Sequence, residues 1–180
     1  IQAVATITQN VPPSDDDIKE VLDYTEGRHA KPSSETFGIA KDRNVIAIHL
    51  ESIEQFLIDY KLIDEENNEW EVLPFLNQLY HSEDTLSFPN FFAQTGQGKS
   101  SDAELMMECS LFGLSRGAAF IKHAGNEYHS FVKVLKEKAG YTSAAFHGNV
   151  GSFWNRADMY KSLEYEYFFD ADDFVLTEEN

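Results

Sequence analysis

The pattern of apolar and polar positions divides the chain into alternating segments of helix and strand character. Apolar residues recur every three or four positions in several segments, and this is the period of a helix with one buried face. Ser14, followed by three aspartates, is typical of a helix start. Helices are therefore predicted over residues 15–25, 52–60, 74–79, from Ser100 onward, 127–138 (ended by Gly140) and 153–163.

Four segments have the length and composition of strands: residues 44–51, 87–92, 141–147 and 165–170. The first is an almost continuous apolar run, which favours a strand covered on both faces in a parallel sheet. Strands alternating with helices indicate an α/β fold. Residues 1–13 are predicted to form an extended arm ending in two prolines, and residues 64–71 a polar insertion.

Composition and charge narrow the class of protein. With 42% hydrophobic and 13% aromatic residues among 180, the chain is not a disordered tail. Its net charge of -17 excludes a broad nucleic-acid interface, which needs a basic surface. A single cysteine, Cys109, excludes an internal disulfide and a multi-cysteine metal cluster. No apolar stretch approaches the roughly twenty residues that span a bilayer.

The most informative segment is residues 93–102, with the sequence AQTGQGKSSD. Its glycines let backbone N–H groups approach an anion, Lys99 adds positive charge, and Ser100 places a hydroxyl where a helix starts. The segment is therefore predicted to bind phosphate. Two alternatives remain: a flexible turn capped by Ser101 or Asp102, and a P-loop of an NTPase over residues 93–100. The P-loop lacks its first glycine, because Ala93 stands there.

Other candidate residues follow the predicted strands. Glu51 ends the first strand, where its carboxylate could bind a hard divalent cation or cap the next helix. His147 ends the third strand, and Trp154 and Arg156 open the helix after it. Arg156 could bind phosphate through paired N–H groups, while Trp154 could offer a flat face to a small polyol.

Three motifs together resemble the lipoteichoic acid synthases of Gram-positive bacteria, a family within the alkaline phosphatase and sulfatase superfamily. They are IHLES at residues 48–52, FFAQTGQGKSSD at residues 91–102 and FWNR at residues 153–156, and PFLN at residues 74–77 also matches. The resemblance implies a sulfatase-like α/β fold with a largely parallel central sheet flanked by helices. Residues 14–180 would be the N-terminal part of such a catalytic domain.

The resemblance also implies roles for individual residues. Glu51 would bind a divalent metal, Mn²⁺ or Mg²⁺, and Ser100 would be both metal ligand and covalent nucleophile. The glycerophosphate pocket would be lined by Lys99, His147, Asn149, Phe153, Trp154 and Arg156. Two residues depart from the family pattern: Ser100 stands where threonine is usual, and Asn149 where aspartate is common. The family's Asp-His metal pair would follow Asn180, and membrane helices would precede this chain.

The activity implied by the resemblance is a phosphoglycerol transfer. Phosphatidylglycerol would donate glycerophosphate to the nucleophile, and a growing polymer or a glycolipid would accept it. The enzyme would act at the extracellular face of the membrane, or as a secreted domain after cleavage. Two rival functions remain: a sulfatase-type phosphodiesterase, whose acceptor is water, and a non-catalytic module that binds glycerophosphate.

Overall fold

The structure is a computed structural model that describes residues 12–27, 34–35 and 37–175. Two compact units divide the chain: a large unit, made of the residues up to Ile46 together with those from Thr95 onward, and a small unit, Ala47–Gln94. The described helices are Asp15–Thr25 (α1), Pro74–Tyr80 (α2), Ser100–Cys109 (α3), Ala119–Lys122 (α4), Phe131–Ala139 (α5) and Arg156–Ser162 (α6). The described strands are Lys61–Ile63 (β1), Glu69–Glu71 (β2), Ala144–Phe146 (β3) and Tyr167–Phe169 (β4). Short 3-10 turns occur at Gln55–Leu57, Phe153–Asn155 and Ala171–Asp173.

Helix α1 begins where the sequence predicts. The Ser14 hydroxyl accepts from the Asp17 amide, and the Asp17 carboxylate accepts from the Ser14 amide, which together form a capping box. No residue of this helix is buried. The predicted arm lies outside the described residues except for its two prolines, which are exposed and have no regular structure.

The small unit contains a hairpin that the sequence prediction missed. Strands β1 and β2 pair antiparallel with Leu62 opposite Trp70, so the predicted polar insertion is in part a strand. Asp64 closes the turn because its carboxylate accepts from the amides of Glu66 and Asn68, and also from the Asn68 side chain. These bonds, the Asn68 side chain first, lower the pKa of Asp64 to about 2.

Two predicted strands, residues 44–51 and 87–92, have no strand conformation, and the predicted helix at 52–60 is only the turn Gln55–Leu57. A strand is defined by backbone pairing with a neighbour, and no described strand pairs with either segment. Ile46 and Ile48 are accordingly exposed. An apolar run shows that a segment favours burial, but it does not supply the partner strand.

The large unit holds the hydrophobic core. Strands β3 and β4 pair in parallel with Ala145 opposite Phe168, which confirms two predicted strands and the parallel sheet at this pair. The buried cluster joins helices α3, α4 and α6 and consists of Leu105, Ala119, Phe120, Tyr128, Met159, Tyr160 and Leu163. Each large apolar side chain buried here contributes about 1.5–3 kcal/mol. This core fixes the helix start that carries Ser100.

Helices α5 and α6 of the large unit start at Phe131 and Arg156, a few residues later than predicted. Helix α5 begins at Phe131 because Ser130 caps it: the Ser130 hydroxyl accepts from the Lys133 amide and donates to the Leu163 carbonyl at 2.6 Å. It ends before Gly140, whose φ of 68° confirms the predicted stop.

Within the described residues, none of the helices has the length and apolar character required to span a bilayer.

Candidate active site

The glycine-lysine segment leads directly into helix α3, as the sequence predicts. Lys99 precedes the helix with φ 53° and ψ -124°, a backbone conformation that residues other than glycine rarely adopt. Ser100 is the first helical residue and is partly buried, while Lys99 is exposed. A hydroxyl and a cationic side chain are thus neighbours at the junction of turn and helix. Backbone strain of this kind costs about 1–3 kcal/mol and is common at functional sites.

The glycine amides of this turn already have an acceptor within the protein. Asp102 is fully buried, and its Oδ2 accepts from the amides of Gly96 at 2.9 Å and Gly98 at 3.0 Å. The prediction that these two N–H groups cradle a phosphate is therefore corrected, because the anion that they contact is the Asp102 carboxylate. The predicted contacts of a phosphate with the side chains of Lys99 and Ser100 stay predictions.

A second group of predicted residues follows strand β3. His147 continues the pairing, since its amide donates to the Phe169 carbonyl at 2.9 Å. His147 Nδ1 lies 3.1 Å from the amide nitrogen of Asn149 and 3.0 Å from its carbonyl oxygen, so the ring is held against the backbone of Asn149. The Asn149 side chain accepts from the Val150 amide at 2.8 Å and is exposed.

The aromatic residues of this group lie on a sharply turned backbone. Trp154 and Asn155 both have positive φ, 58° and 57°, which separates the 3-10 turn Phe153–Asn155 from helix α6. The Asn155 side chain donates to the Phe120 carbonyl at 3.0 Å and so ties this turn to the core. The Phe153 and Trp154 rings meet edge to face, with centroids 6.0 Å apart, and Phe153 is half exposed.

Gly151 is held by a carboxylate, as the glycine-lysine turn is. Its amide donates to Asp170 Oδ2 at 2.6 Å, and a Cβ at this glycine would lie 2.7 Å from that oxygen. Asp170 also caps the turn Ala171–Asp173. The sequence analysis placed Asp170 at the end of the fourth predicted strand and did not assign it to the phosphoglycerol site. The signal that could have found it is an aspartate directly after a strand and before a short helical turn.

Arg156 is buried, with 2% of its surface exposed. Its guanidinium pairs with Glu104 of helix α3, which is also buried, and the Tyr160 hydroxyl donates to the same carboxylate at 2.9 Å. Its Nη1 donates to the Phe153 carbonyl at 3.1 Å. The structure therefore gives Arg156 an internal partner, and its predicted contact with phosphate stays a prediction.

Glu51 is exposed in a turn of the small unit, next to Ser52 with φ 59°. Its carboxylate and the Ser100 hydroxyl are oxygen donors of the kind that Mn²⁺ and Mg²⁺ prefer. Among the described residues, however, no group of three or more His, Cys, Asp or Glu side chains could hold a metal ion. Two oxygens do not complete a coordination shell of six, so the shared cation stays a prediction.

The P-loop alternative does not fit this structure. A P-loop joins a strand to a helix, and residues 87–92 before the turn are not a strand. Asp170 lies at a strand end, where a P-loop protein would hold a magnesium ligand, but its carboxylate already accepts from the amides of Gly151 and Asp172.

Comparisons with known proteins agree with the motifs. A sequence-family model described as Sulfatase matches residues 43–180. Lipoteichoic acid synthase 1 of Bacillus subtilis is 51% identical over the whole of this chain, and lipoteichoic acid synthase 2 of the same organism is 44% identical. Lipoteichoic acid synthase of Staphylococcus aureus is 41% identical, again over the whole chain.

A solved structure shows the same fold. The crystal structure of the lipoteichoic acid synthase LtaP from Listeria monocytogenes matches 86% of this chain with a TM-score of 0.69 and 23% identity, and 36% of that protein is covered. The predicted sulfatase-like fold and the resemblance drawn from the motifs are both confirmed. The chain spans 27–28% of the length of the sequence relatives that it matches.

Proposed function

The chain belongs to the sulfatase family, and on that premise we propose that it is part of a phosphoglycerol transferase with Ser100 as nucleophile. The observation that carries the proposal is the placement of Ser100. Its hydroxyl stands at the first position of a core-anchored helix, directly after a strained lysine. Relatives 41–51% identical to this chain are named lipoteichoic acid synthases. The substrates proposed are phosphatidylglycerol as donor and a glycerophosphate polymer or glycolipid as acceptor.

The proposed reaction has two steps at one oxygen. The Ser100 oxygen attacks the donor phosphorus and forms a serine phosphodiester, while the bond from phosphorus to the diacylglycerol oxygen breaks; the proton of the serine hydroxyl ends on that oxygen, so diacylglycerol leaves as an alcohol. An acceptor hydroxyl then attacks the same phosphorus and forms the new phosphodiester. The bond from phosphorus to the serine oxygen breaks, and the acceptor's proton restores the serine hydroxyl. Lys99 would stabilise the negative charge that grows on the phosphoryl oxygens in both steps.

The remaining pocket residues would bind the glycerol and the phosphate. His147 offers Nε2 for a hydrogen bond, Asn149 offers its side-chain amide, and Phe153 with Trp154 provides an apolar wall for the carbon chain. Arg156 would contact phosphate through the N–H groups that Glu104 and Phe153 do not use. Glu104 would keep the guanidinium in place.

A divalent cation at Glu51 and Ser100, Mn²⁺ or Mg²⁺, would make the serine hydroxyl more acidic and neutralise phosphoryl charge when bound. Its test does not need turnover. Binding of Mn²⁺ to the complete protein, followed by electron paramagnetic resonance without substrate, should weaken in Glu51→Gln and in Ser100→Ala. Glu54→Gln, which changes an exposed carboxylate three residues away, should bind as the unchanged protein does.

We place the reaction at the extracellular face of the membrane, either on a membrane-tethered protein or on a domain released by cleavage. The proposed donor is a membrane lipid, which supports the membrane, and the extracellular face is what the resemblance to lipoteichoic acid synthases implies. Fractionation of cells that express the complete protein would test this placement: activity in the cytosolic fraction alone would contradict it.

The activity is tested with the complete protein and phosphatidylglycerol labelled in its headgroup glycerol. We expect label on Ser100, found by mass spectrometry of the peptide, and label in polymer or glycolipid. Ser100→Ala should abolish both, Ser100→Thr should keep both, and the exposed serine variant Ser115→Ala should behave as the unchanged protein. Free glycerophosphate as the main product would instead establish the phosphodiesterase, and binding without label on Ser100 the non-catalytic module.

A further inference from the structure

The carboxylate beneath the glycine-lysine turn is unusually placed for a structural residue. Asp102 has 0% of its surface exposed, and within the described residues its Oδ1 has no hydrogen-bond partner. A buried polar atom without a partner costs about 1–3 kcal/mol. An apolar residue would avoid this cost if filling space were all that the position required. The carboxylate must therefore do something that an apolar side chain cannot do.

What the carboxylate does is join two points of the turn. Oδ2 accepts from the amides of Gly96 and Gly98, which flank Gln97. The turn's own bond, from the Lys99 amide to the Gly96 carbonyl, is long at 3.3 Å. The two bonds to Asp102, at 2.9 and 3.0 Å, are shorter. They hold the backbone that enters Lys99, the residue with φ 53° and ψ -124°.

The carboxylate is also clamped from two sides. A Cβ at Gly98 would lie 2.0 Å from Asp102 Oδ1, and a Cβ at Gly113 would lie 2.3 Å from Asp102 Cγ. Neither glycine has a positive φ, so it is space and not backbone conformation that requires glycine at both positions. Gly113 approaches from outside the turn. The space around the carboxylate between these two glycines is therefore too small to admit a methyl group on either side.

We propose that Asp102 is a positioning residue for the nucleophile: its carboxylate, held between Gly98 and Gly113, fixes the turn that orients Lys99 and Ser100. The proposal rests on the proposed function of Ser100 and deepens it. Asp102 itself touches neither substrate nor the reacting atoms. Misplacement of a reacting group by about 1 Å can lower a rate about 100-fold, and so a small shift of this turn should be measurable.

The first test changes the carboxylate in the complete protein. In Asp102→Asn the amide oxygen can still accept from both glycines, but an NH2 group replaces Oδ1 against Gly98 and lacks an acceptor. We expect the rate constant for labelling Ser100 to fall about tenfold or more, while KM for phosphatidylglycerol changes less than about threefold. Asp158→Asn, at an exposed carboxylate of helix α6, should leave both unchanged. A matched fall in Asp158→Asn, or a loss confined to KM, would overturn the proposal.

The second test pushes the carboxylate from outside the turn and leaves Asp102 intact. Gly113→Ala should lower the same rate constant, because its Cβ would collide with Asp102 Cγ. Gly125→Ala is the matched control, since nothing lies within 4 Å of a Cβ there. In the Asp102→Ala background the space is open, so Gly113→Ala should add little. Additive losses would show that Gly113 does not act through Asp102 and would overturn the proposal.

A third measurement reports on the turn without activity. Hydrogen exchange of the Gly96 and Gly98 amides should be slow in the unchanged protein and faster in Asp102→Ala. If the unchanged protein labels Ser100 and Asp102→Asn labels it equally fast, the role of Asp102 alone is overturned. If the unchanged protein does not label Ser100, the proposed function fails and the role of Asp102 in that reaction fails with it. Unaltered exchange in Asp102→Ala would overturn the positioning role even if the rates fell.

Discussion

The two units of this chain differ in how many of their side chains are buried. In the small unit, residues 47–94, only Asn77 is buried, while Phe75, Phe91 and Trp70 are among many exposed large apolar residues. In the large unit, Phe120, Met159 and Leu163 are fully enclosed, and the charged pair Glu104 and Arg156 is enclosed with them.

The two units also differ in what holds the backbone around a predicted site residue. Around Ser100, buried groups fix the backbone: the core holds helix α3, and Asp102 holds the turn before it. In the small unit Asp64 acts within its own turn, and Asn77, which accepts from the Asp59 amide 18 residues earlier, is the one buried side chain that fixes the backbone. The predicted metal ligand Glu51 belongs to the second kind of environment, and the predicted nucleophile to the first.

The largest contrast should come from two phenylalanines. Phe120→Ala in the large unit should lower the free energy of unfolding by about 3–5 kcal/mol, because it removes contacts on all sides and leaves a cavity. Phe91→Ala, at a side chain that is 80% exposed, should change it by less than about 0.5 kcal/mol. Urea unfolding of the complete protein measures both. Equal losses would show that the exposure of the small unit does not persist in solution.

The buried ion pair gives the next contrast. Arg156→Ala should cost about 3–5 kcal/mol, since Glu104 would stay buried without its cationic partner. Lys161→Ala breaks a pair with Asp158 on the exposed side of the same helix, and no measurable loss of stability is expected. A small effect of Arg156→Ala in urea unfolding would mean that water reaches Glu104.

Glu108 should make stability depend on pH. Burial is the main cause that raises the pKa of this carboxyl from 4.5 to about 7; the hydrogen bond from the Tyr165 hydroxyl opposes the rise, and the neighbouring charge of Glu104 adds to it. The folded state therefore keeps a proton that the unfolded chain releases between these pH values. Stability should fall as pH rises from about 4.5 to 7, by up to about 3 kcal/mol in total. Glu108→Gln should remove this fall, whereas Glu137→Gln, at an exposed position, should retain it in thermal unfolding at several pH values.

The smallest contrast compares two serine caps. Ser130→Ala removes a buried hydroxyl that caps α5 and also donates to the Leu163 carbonyl, and a loss of about 1–2 kcal/mol is expected. Ser14→Ala removes the exposed cap of α1, and its loss should be smaller because water can replace the bond. Chemical unfolding of both variants would check the order, and the reverse order would contradict the comparison.

Much of the large unit could be predicted because its information is local. Helix α3 starts at Ser100, α5 ends at Gly140, and the β3 and β4 segments alternate with helices as the sequence indicates. The small unit was predicted less well. Its hairpin was missed because β1 and β2 are only three residues each, too short for a period to show, and the apolar segment 44–51 was assigned as a strand.

The family, the helix that carries Ser100 and the chemistry of the side chains near it can all be read from the chain, because motif, period and residue type are properties of neighbouring residues. Three contacts required the folded structure: Asp102 accepts from the glycine amides, Arg156 pairs with Glu104 across 52 residues, and Asp170 accepts from the Gly151 amide. Two of these contacts join residues that are distant in sequence, and the third joins the first turn of a helix to the loop before it. Their geometry depends on which faces the core buries, and no local pattern encodes that choice.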